Sequence, residues 1–217
     1  MSTMGVLWDM DGVLVDTGDF HFQAWRELLV EYGIAFTYEF HQETFGMNNA
    51  SILSLLLGEE LTPKLLSEIA DRKEEQFRAA VRGHAKPLPG VHAWLERLQD
   101  GGARQGIASS APMANIDTLI DELGLRGYFD VMVSGVDMPG KPEPTLFLEV
   151  ARLLNVPAED CVVVEDAVAG VEAAKRAGMK CIAVTTTNQA EALSAADIVV
   201  DRLETLPAGA FRRLVTA

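Results

Sequence analysis

The sequence is poor in cysteine, in positive charge and in long apolar runs. Its two cysteines, Cys161 and Cys181, each open a strand-like apolar run, where Cys behaves as a small hydrophobe, so a disulfide scaffold or a redox pair is not expected. No run approaches the roughly 18 apolar residues of a membrane helix. The N-terminus passes straight into WDMDG without a basic region, a long apolar stretch and a cleavage site. These absences predict a soluble, cytoplasmic protein. Against 32 Asp and Glu stand only 18 Lys and Arg, a formal net charge of −14. That balance disfavours nucleic acid or an anionic membrane as partner. An anionic small molecule would need locally placed cations or metal ions. Internal repeats and low-complexity tracts are also missing.

What the chain does have is apolar content, 48% of its residues, enough for a substantial core. Short apolar runs at Met4–Trp8, Gln105–Ala108, Val131–Val133, Cys161–Val164, Cys181–Val184 and Asp197–Val200 read as strands buried on both faces. Between them Val91–Leu98, Ala114–Leu123, Thr145–Leu154 and Ala167–Ala177 carry apolar residues three and four apart, as crossover helices do. The alternation predicts an α/β fold, a doubly wound (Rossmann-like) parallel sheet. It breaks between Thr17 and Ala85, where only helical signals occur: His21–Tyr32, Ala50–Leu57, and a helix capped by Thr62 with Pro63 in its first turn, running to Arg82. One helix suffices for a crossover, so this block is expected to be an inserted α-helical cap domain, residues 17–85. Residues 1–16 and 86–217 would form the core, with KPLPG as the return linker.

Ligands of open parallel sheets bind beyond the carboxyl ends of the strands. The residues there are Asp9 and Asp11, Ser109 and Ser110, Lys141, and Glu165 and Asp166. Crowded carboxylates raise one another's pKa unless a cation compensates. A hard divalent ion resolves this, and Mg²⁺ suits a site that also holds phosphate oxygens. Asp9 is then a candidate nucleophile toward phosphorus and Asp11 a proton carrier. Lys141 is a point cation for the phosphoryl oxygens. Ser109 and Ser110, where a strand gives way to a helix, are candidate phosphate ligands or merely a helix cap.

DMDG (Asp9–Gly12), ASS (Ala108–Ser110), GKPEP (Gly140–Pro144) and VVVEDAVAGVEAAKRAGM (Val162–Met179) resemble the four ordered motifs of the haloacid dehalogenase superfamily. DMDGVLVDT followed by HFQAW resembles the branch holding beta-phosphoglucomutase and small sugar-phosphate phosphatases. The resemblance implies that Asp9 is nucleophile and Asp11 general acid and base, and that Ser109 and Lys141 bind the transferring phosphoryl group. It also implies that Asp9, Asp11, Glu165 and Asp166 surround Mg²⁺, with Glu165 either ligand or support. Asp11 argues against true dehalogenation. The substrate expected is a small phosphorylated metabolite, and the assembly a monomer or weak homo-oligomer.

Two activities remain open, with a non-catalytic Mg²⁺-binding or phospho-accepting regulatory domain as a third, less favoured reading. His21 and Lys73 resemble the mutases of the branch. The arginine with which those mutases grip a distal phosphate aligns with Asn49, and the polar residues after their second-motif serine align with Ala111, Pro112 and Met113. The missing anion clamp favours a phosphatase over a mutase. Specificity is expected in the stretch from Phe45 to Ser51, including Gly46. Thr17 reads as a hinge or a helix cap, His21 as a site or packed residue, and Lys73, in the charged stretch DRKEE, as a solvated helix face if not a ligand.

Overall fold

The computed structural model describes residues 3–216. Six strands form one parallel sheet: β1 (Gly5–Trp8), β2 (Arg104–Ser109), β3 (Val131–Ser134), β4 (Cys161–Glu165), β5 (Lys180–Val184) and β6 (Ile198–Val200), in the order β3-β2-β1-β4-β5-β6. Each expected strand is present within a residue or two of its predicted ends. Register sets Trp8 beside Ile107 on one side and Val164 on the other.

Because side chains alternate across a strand, one sequence feeds two apolar layers. Val6, Trp8, Ile107 and Val164 point to the face covered by α5 (Val91–Asp100), α6 (Met113–Glu122) and α9 (Ala210–Thr216). Leu7, Ala108, Val163 and Cys181 point to the face covered by α7 (Thr145–Leu154) and α8 (Val168–Arg176). Both cysteines are buried and unpaired, and burial raises their thiol pKa values, that of Cys161 to about 12. They pack as the hydrophobes their context predicts.

Between β1 and α5 the chain leaves the sheet and builds a helical insertion: α1 (Gly18–Val30), α2 (Tyr38–Thr44), α3 (Asn49–Leu57) and α4 (Pro63–Val81). The helix α2 is absent from the sequence expectation, because its seven residues are too few to show an apolar stripe. Its start was nonetheless marked: the Thr37 side chain accepts from the Phe40 amide, just as Asn48 accepts from Ser51 and Thr62 from Leu65. The insertion has its own apolar cluster, in which Trp25, Leu28, Leu29, Phe36, Ile52, Leu53 and Ile69 are buried. Each such side chain contributes roughly 1.5–3 kcal/mol relative to exposure. The outgoing and returning chains run side by side: Val15 bridges to Pro87, and the Leu88 amide donates to the Leu14 carbonyl. Among the described residues no helix is long and apolar enough to cross a membrane.

Candidate active site

In the observed strand order β1 lies between β2 and β4, so the chain order reverses beside it, and such a switch point opens a crevice at the carboxyl ends of the strands. Asp9 follows β1 directly, and its amide donates to the Val164 carbonyl at 3.0 Å, which extends the ladder one residue beyond the strand. The Met10 carbonyl then accepts from the Val13, Leu14 and Val15 amides, curling the chain so that Asp11 also stays over the strand end.

Lys141, from the loop between β3 and α7, enters this crevice and is buried. Its Nζ donates to Asp9 Oδ1 and to Glu165 Oε1, each at 2.5 Å, while lying 5.1 Å from the centre of the Phe147 ring. Burial alone would depress the ammonium; Asp9 and Glu165 outweigh it and hold its pKa above the ordinary lysine range. Glu165 Oε2 accepts from the Asp166 and Ala167 amides, at 2.7 and 2.8 Å. Glu165, expected among the metal ligands, therefore has both oxygens occupied, one fixing the lysine and one fixing the turn into α8. A Cβ on Gly170 would stand 1.8 Å from Glu165 Oε1, so only glycine lets α8 pass this carboxylate.

Asp9 and Asp166 remain as buried acids with capacity to spare. Burial raises the Asp9 pKa to about 8, with Glu165 and Asp11 adding to the rise and Lys141 opposing it. Burial also pushes Asp166 well above the usual carboxylate range, with Glu165 and Asp9 contributing. Gly12, at φ +83°, makes room for Asp166: a Cβ there would lie 1.9 Å from Asp166 Oδ2. Among the described residues no group of three or more His, Cys, Asp or Glu side chains is arranged to hold a metal ion. Of the four carboxylates expected around one, Glu165 serves Lys141 and the Asp11 carboxylate is turned to other donors.

Those donors come from the insertion. The Thr17 hydroxyl donates to Asp11 Oδ1 at 2.5 Å instead of capping α1, although Thr17 occupies the cap position. His21 Nε2 lies 3.3 Å from the same oxygen, and Lys73 Nζ donates to His21 Nδ1 at 2.7 Å. Nε2 is thus the ring nitrogen turned toward Asp11. Burial would raise the Asp11 pKa, but the bonds and charges of His21, Thr17 and Lys73 hold it below the usual value. Lys73 is 2% exposed, so its reading as a solvated helix face is overturned: it shares one buried stripe of α4, spaced four residues apart, with Ile69, Phe77 and Val81.

Ser109 is buried at the end of β2, and its Oγ accepts from the Ala111 amide at 3.1 Å; Ser110 lines the cavity itself. That cavity, about 50 Å³, lies between Asp9 and Asp11 below and Thr44, Phe45, Gly46 and Asn49 of the insertion above. Gly46 closes against the core, where a Cβ would come 3.0 Å from the Ala167 Cβ. Asn49 lines the cavity with its amide engaged, Nδ2 donating to Glu74 Oε1 at 2.8 Å.

Residues 6–184 match the family model described as haloacid dehalogenase-like hydrolase. The chain belongs to that family. It is 35% identical over 197 residues to the phosphorylated carbohydrates phosphatase of Thermotoga maritima, covering 89% of this chain and 91% of that protein. To the beta-phosphoglucomutase of Bacillus subtilis it is 30% identical over 203 residues, 90% of this chain and 88% of the relative. Its fold matches the crystal structure of beta-phosphoglucomutase from Clostridium difficile with a TM-score of 0.90 and 26% identity, over 99% of this chain and 97% of the other. The chain thus stands among enzymes acting on phosphate esters.

Several residues of this hydrolase's site escaped the sequence. Thr187 and Asn188, just after β5, bond to Asp166: the Thr187 hydroxyl donates to Oδ2 at 2.6 Å and Asn188 Nδ2 to the carbonyl at 3.0 Å. Extending the strand-end rule to β5 would have found them. His41, on the unforeseen α2, lines the cavity with its pKa lowered to about 4, by burial first and by His21 second. Glu74 and Asn115 carried no signal, because their partnership spans 41 residues.

Proposed function

We propose that this chain is a Mg²⁺-dependent phosphatase that hydrolyses a small phosphate monoester, of the sugar-phosphate class, through a phosphoaspartate on Asp9, with the helical insertion acting as a cap domain. The observation that carries the reading is the pairing of Asp9, gripped by Lys141, with Asp11, held by Thr17 and His21.

Asp9, expected as the nucleophile, attacks phosphorus through a carboxylate oxygen while the bond from phosphorus to the ester oxygen breaks. Lys141 keeps Asp9 in place and offsets charge on the phosphoryl oxygens. Asp11 rests as a carboxylate, and an arriving phosphate dianion raises its pKa so that it takes up a proton and passes it to the leaving oxygen. In the second half Asp11 removes a proton from water, whose oxygen attacks phosphorus, and the bond to Asp9 breaks to release inorganic phosphate. In this reading the Ser109 hydroxyl and the Ser110 side chain hold phosphoryl oxygens. Asp9 and Asp166 fit Mg²⁺, because two buried acids with raised pKa values gain from a cation and this ion retains waters beside one or two carboxylates. When bound it would neutralise charge on the transferring group.

The comparisons include a phosphatase and a mutase, and Asn49 favours the phosphatase. Where an anion clamp would stand, its amide is tied to Glu74. Replacing Asp9 by Asn is expected to abolish turnover of a generic aryl phosphate, and a chelator to abolish it in the wild type. Undiminished turnover by the variant would overturn the proposal. With beta-glucose 1-phosphate and a bisphosphate primer, glucose 6-phosphate as product would establish the mutase instead.

A further inference from the structure

The cap side of the cavity contains an ion pair, Lys73 with Glu74, to which the proposed chemistry gives no contact with the reacting atoms. Among the described residues lining it, Lys73 is the one lysine or arginine. Its ammonium is fully engaged: Nζ donates to His21 Nδ1 at 2.7 Å and to Glu74 Oε1 at 2.8 Å, and it lies 5.1 and 5.5 Å from the centres of the Trp25 and Phe77 rings. The Glu74 carboxylate is fully engaged too. Its Oε1 also accepts from Asn49 Nδ2 at 2.8 Å, and its Oε2 accepts from Asn115 Nδ2 at 2.5 Å. Asn115 belongs to α6 of the core, so the arrangement is completed only where insertion and core meet. Arg78, the next cation along α4, is turned to Asn115 Oδ1 at 2.8 Å.

Burial of Glu74 favours its neutral form, but Lys73, His21 and the hydrogen bonds more than reverse this and hold its pKa at about 2. It is an anion under working conditions. His41, depressed to about 4, is neutral there and supplies no compensating charge. Apart from Asp9, Asp11 and His21 at the reacting end, the remaining wall is apolar or hydrogen-bonding without charge, with Trp25, Phe45, Met47 and Ile52 beside Thr44 and Ser110. A hydroxylated leaving group finds partners there. A second phosphate would lose its water, meet a fixed carboxylate and find no free cation, a combination that low-dielectric surroundings make costly.

We propose that Glu74 is the charge filter of this site: by cancelling Lys73 it restricts turnover to monoesters whose leaving group is an uncharged, hydroxyl-bearing molecule, and rejects bisphosphates and other substrates with a distal anion. The proposal rests on the phosphatase reading and deepens it by naming the substrate class.

The test compares kcat/KM for 4-(hydroxymethyl)phenyl phosphate and 4-carboxyphenyl phosphate, which differ in the distal charge. Wild type is expected to favour the uncharged ester by about tenfold or more. Glu74→Gln leaves the Lys73 charge uncancelled and should move the ratio toward the carboxylate ester by a similar factor, and adding Lys73→Met should cancel that gain. A merely structural role for Glu74 would lower both values equally and leave the ratio fixed. If Glu74→Gln does not fold, Asn49→Lys carries the test, since it offers a new cation at the same wall and should shift the ratio in the same direction. Equal use of both esters by wild type, or a ratio unmoved by these variants, overturns the filter alone. Absence of turnover of either ester by wild type overturns the phosphatase reading beneath it.

Discussion

His21 lies face to face on Phe77, with ring centroids 3.9 Å apart and planes 6° from parallel. The stack fixes the plane of an imidazole whose two nitrogens meet Lys73 on one side and Asp11 on the other. Helix α4 thereby controls, from inside the insertion, how a core carboxylate is held. Phe77→Leu keeps most of the apolar volume and should cost less than about 1.5 kcal/mol of stability. Nevertheless kcat should fall by about tenfold to a hundredfold, because the ring no longer sets the direction of Nε2. His21→Gln should do the same and also shift the acidic limb of the pH profile upward, since Asp11 loses the donor that lowers its pKa. Steady-state kinetics over a pH series, with thermal unfolding as the control, separates the two effects.

Lys141 shows the opposite balance, a residue on which folding and chemistry both depend. Removing it leaves Asp9 and Glu165 buried without their cation, and breaking a buried pair from one side costs about 3–5 kcal/mol. Lys141→Met should be strongly destabilised and inactive. Adding Glu165→Gln removes one stranded charge, so stability should recover in part while activity does not. Denaturant titration of the single and double variants checks the stability, and aryl phosphate turnover the activity.

Two glycines make unusual predictions. In the middle of a helix, Gly to Ala ordinarily stabilises by roughly 0.5–1 kcal/mol. At Gly170, within α8, the added Cβ would strike Glu165, so the sign should reverse, with a loss of about 1–3 kcal/mol and lower activity as Glu165 withdraws from Lys141. At Gly12 the added Cβ would strike Asp166. Gly12→Ala should therefore raise the Mg²⁺ concentration needed for half-maximal activity by a larger factor than it raises KM. Activity measured against Mg²⁺ at saturating substrate reads this directly.

These residues also show how far a sequence can be read. The strands were legible because a sheet buried on both faces needs apolar residues at every position, and such runs stand out. Asp9, Asp11, Lys141 and Asp166 were legible because the parallel topology sends every strand end to one crevice. Lys73 was misread because DRKEE looks like a solvated surface in one dimension, although its spacing of four from Ile69 and from Phe77 marked the buried face. Thr17 read as a hinge or a cap, since nothing local reveals that its hydroxyl meets Asp11. Helix α2 was too short for periodicity, which left His41 without a context. The pairing of Glu74 with Asn115 is a product of tertiary structure alone.

The pairing of Glu74 with Lys73 leaves a signature in stability as well as in specificity. Burial would raise the Glu74 pKa, but Lys73, His21 and its hydrogen bonds bring it to about 2, below its ordinary value of 4.5. The unfolded chain therefore binds the proton more readily than the folded one, and folding gains from the ionised form. This contribution is fully present above about pH 4.5 and is lost as the pH falls toward about 2. A shift of this size corresponds to a few kcal/mol, on the order of 3, for a largely buried group. Glu74→Gln has no proton to exchange, so its stability should fall less steeply over the same window, and the two curves should converge at its acidic end. Urea titrations at half-unit pH steps between about 2 and 6 measure the difference. Parallel curves across that window would mean that Glu74 is not held ionised by Lys73.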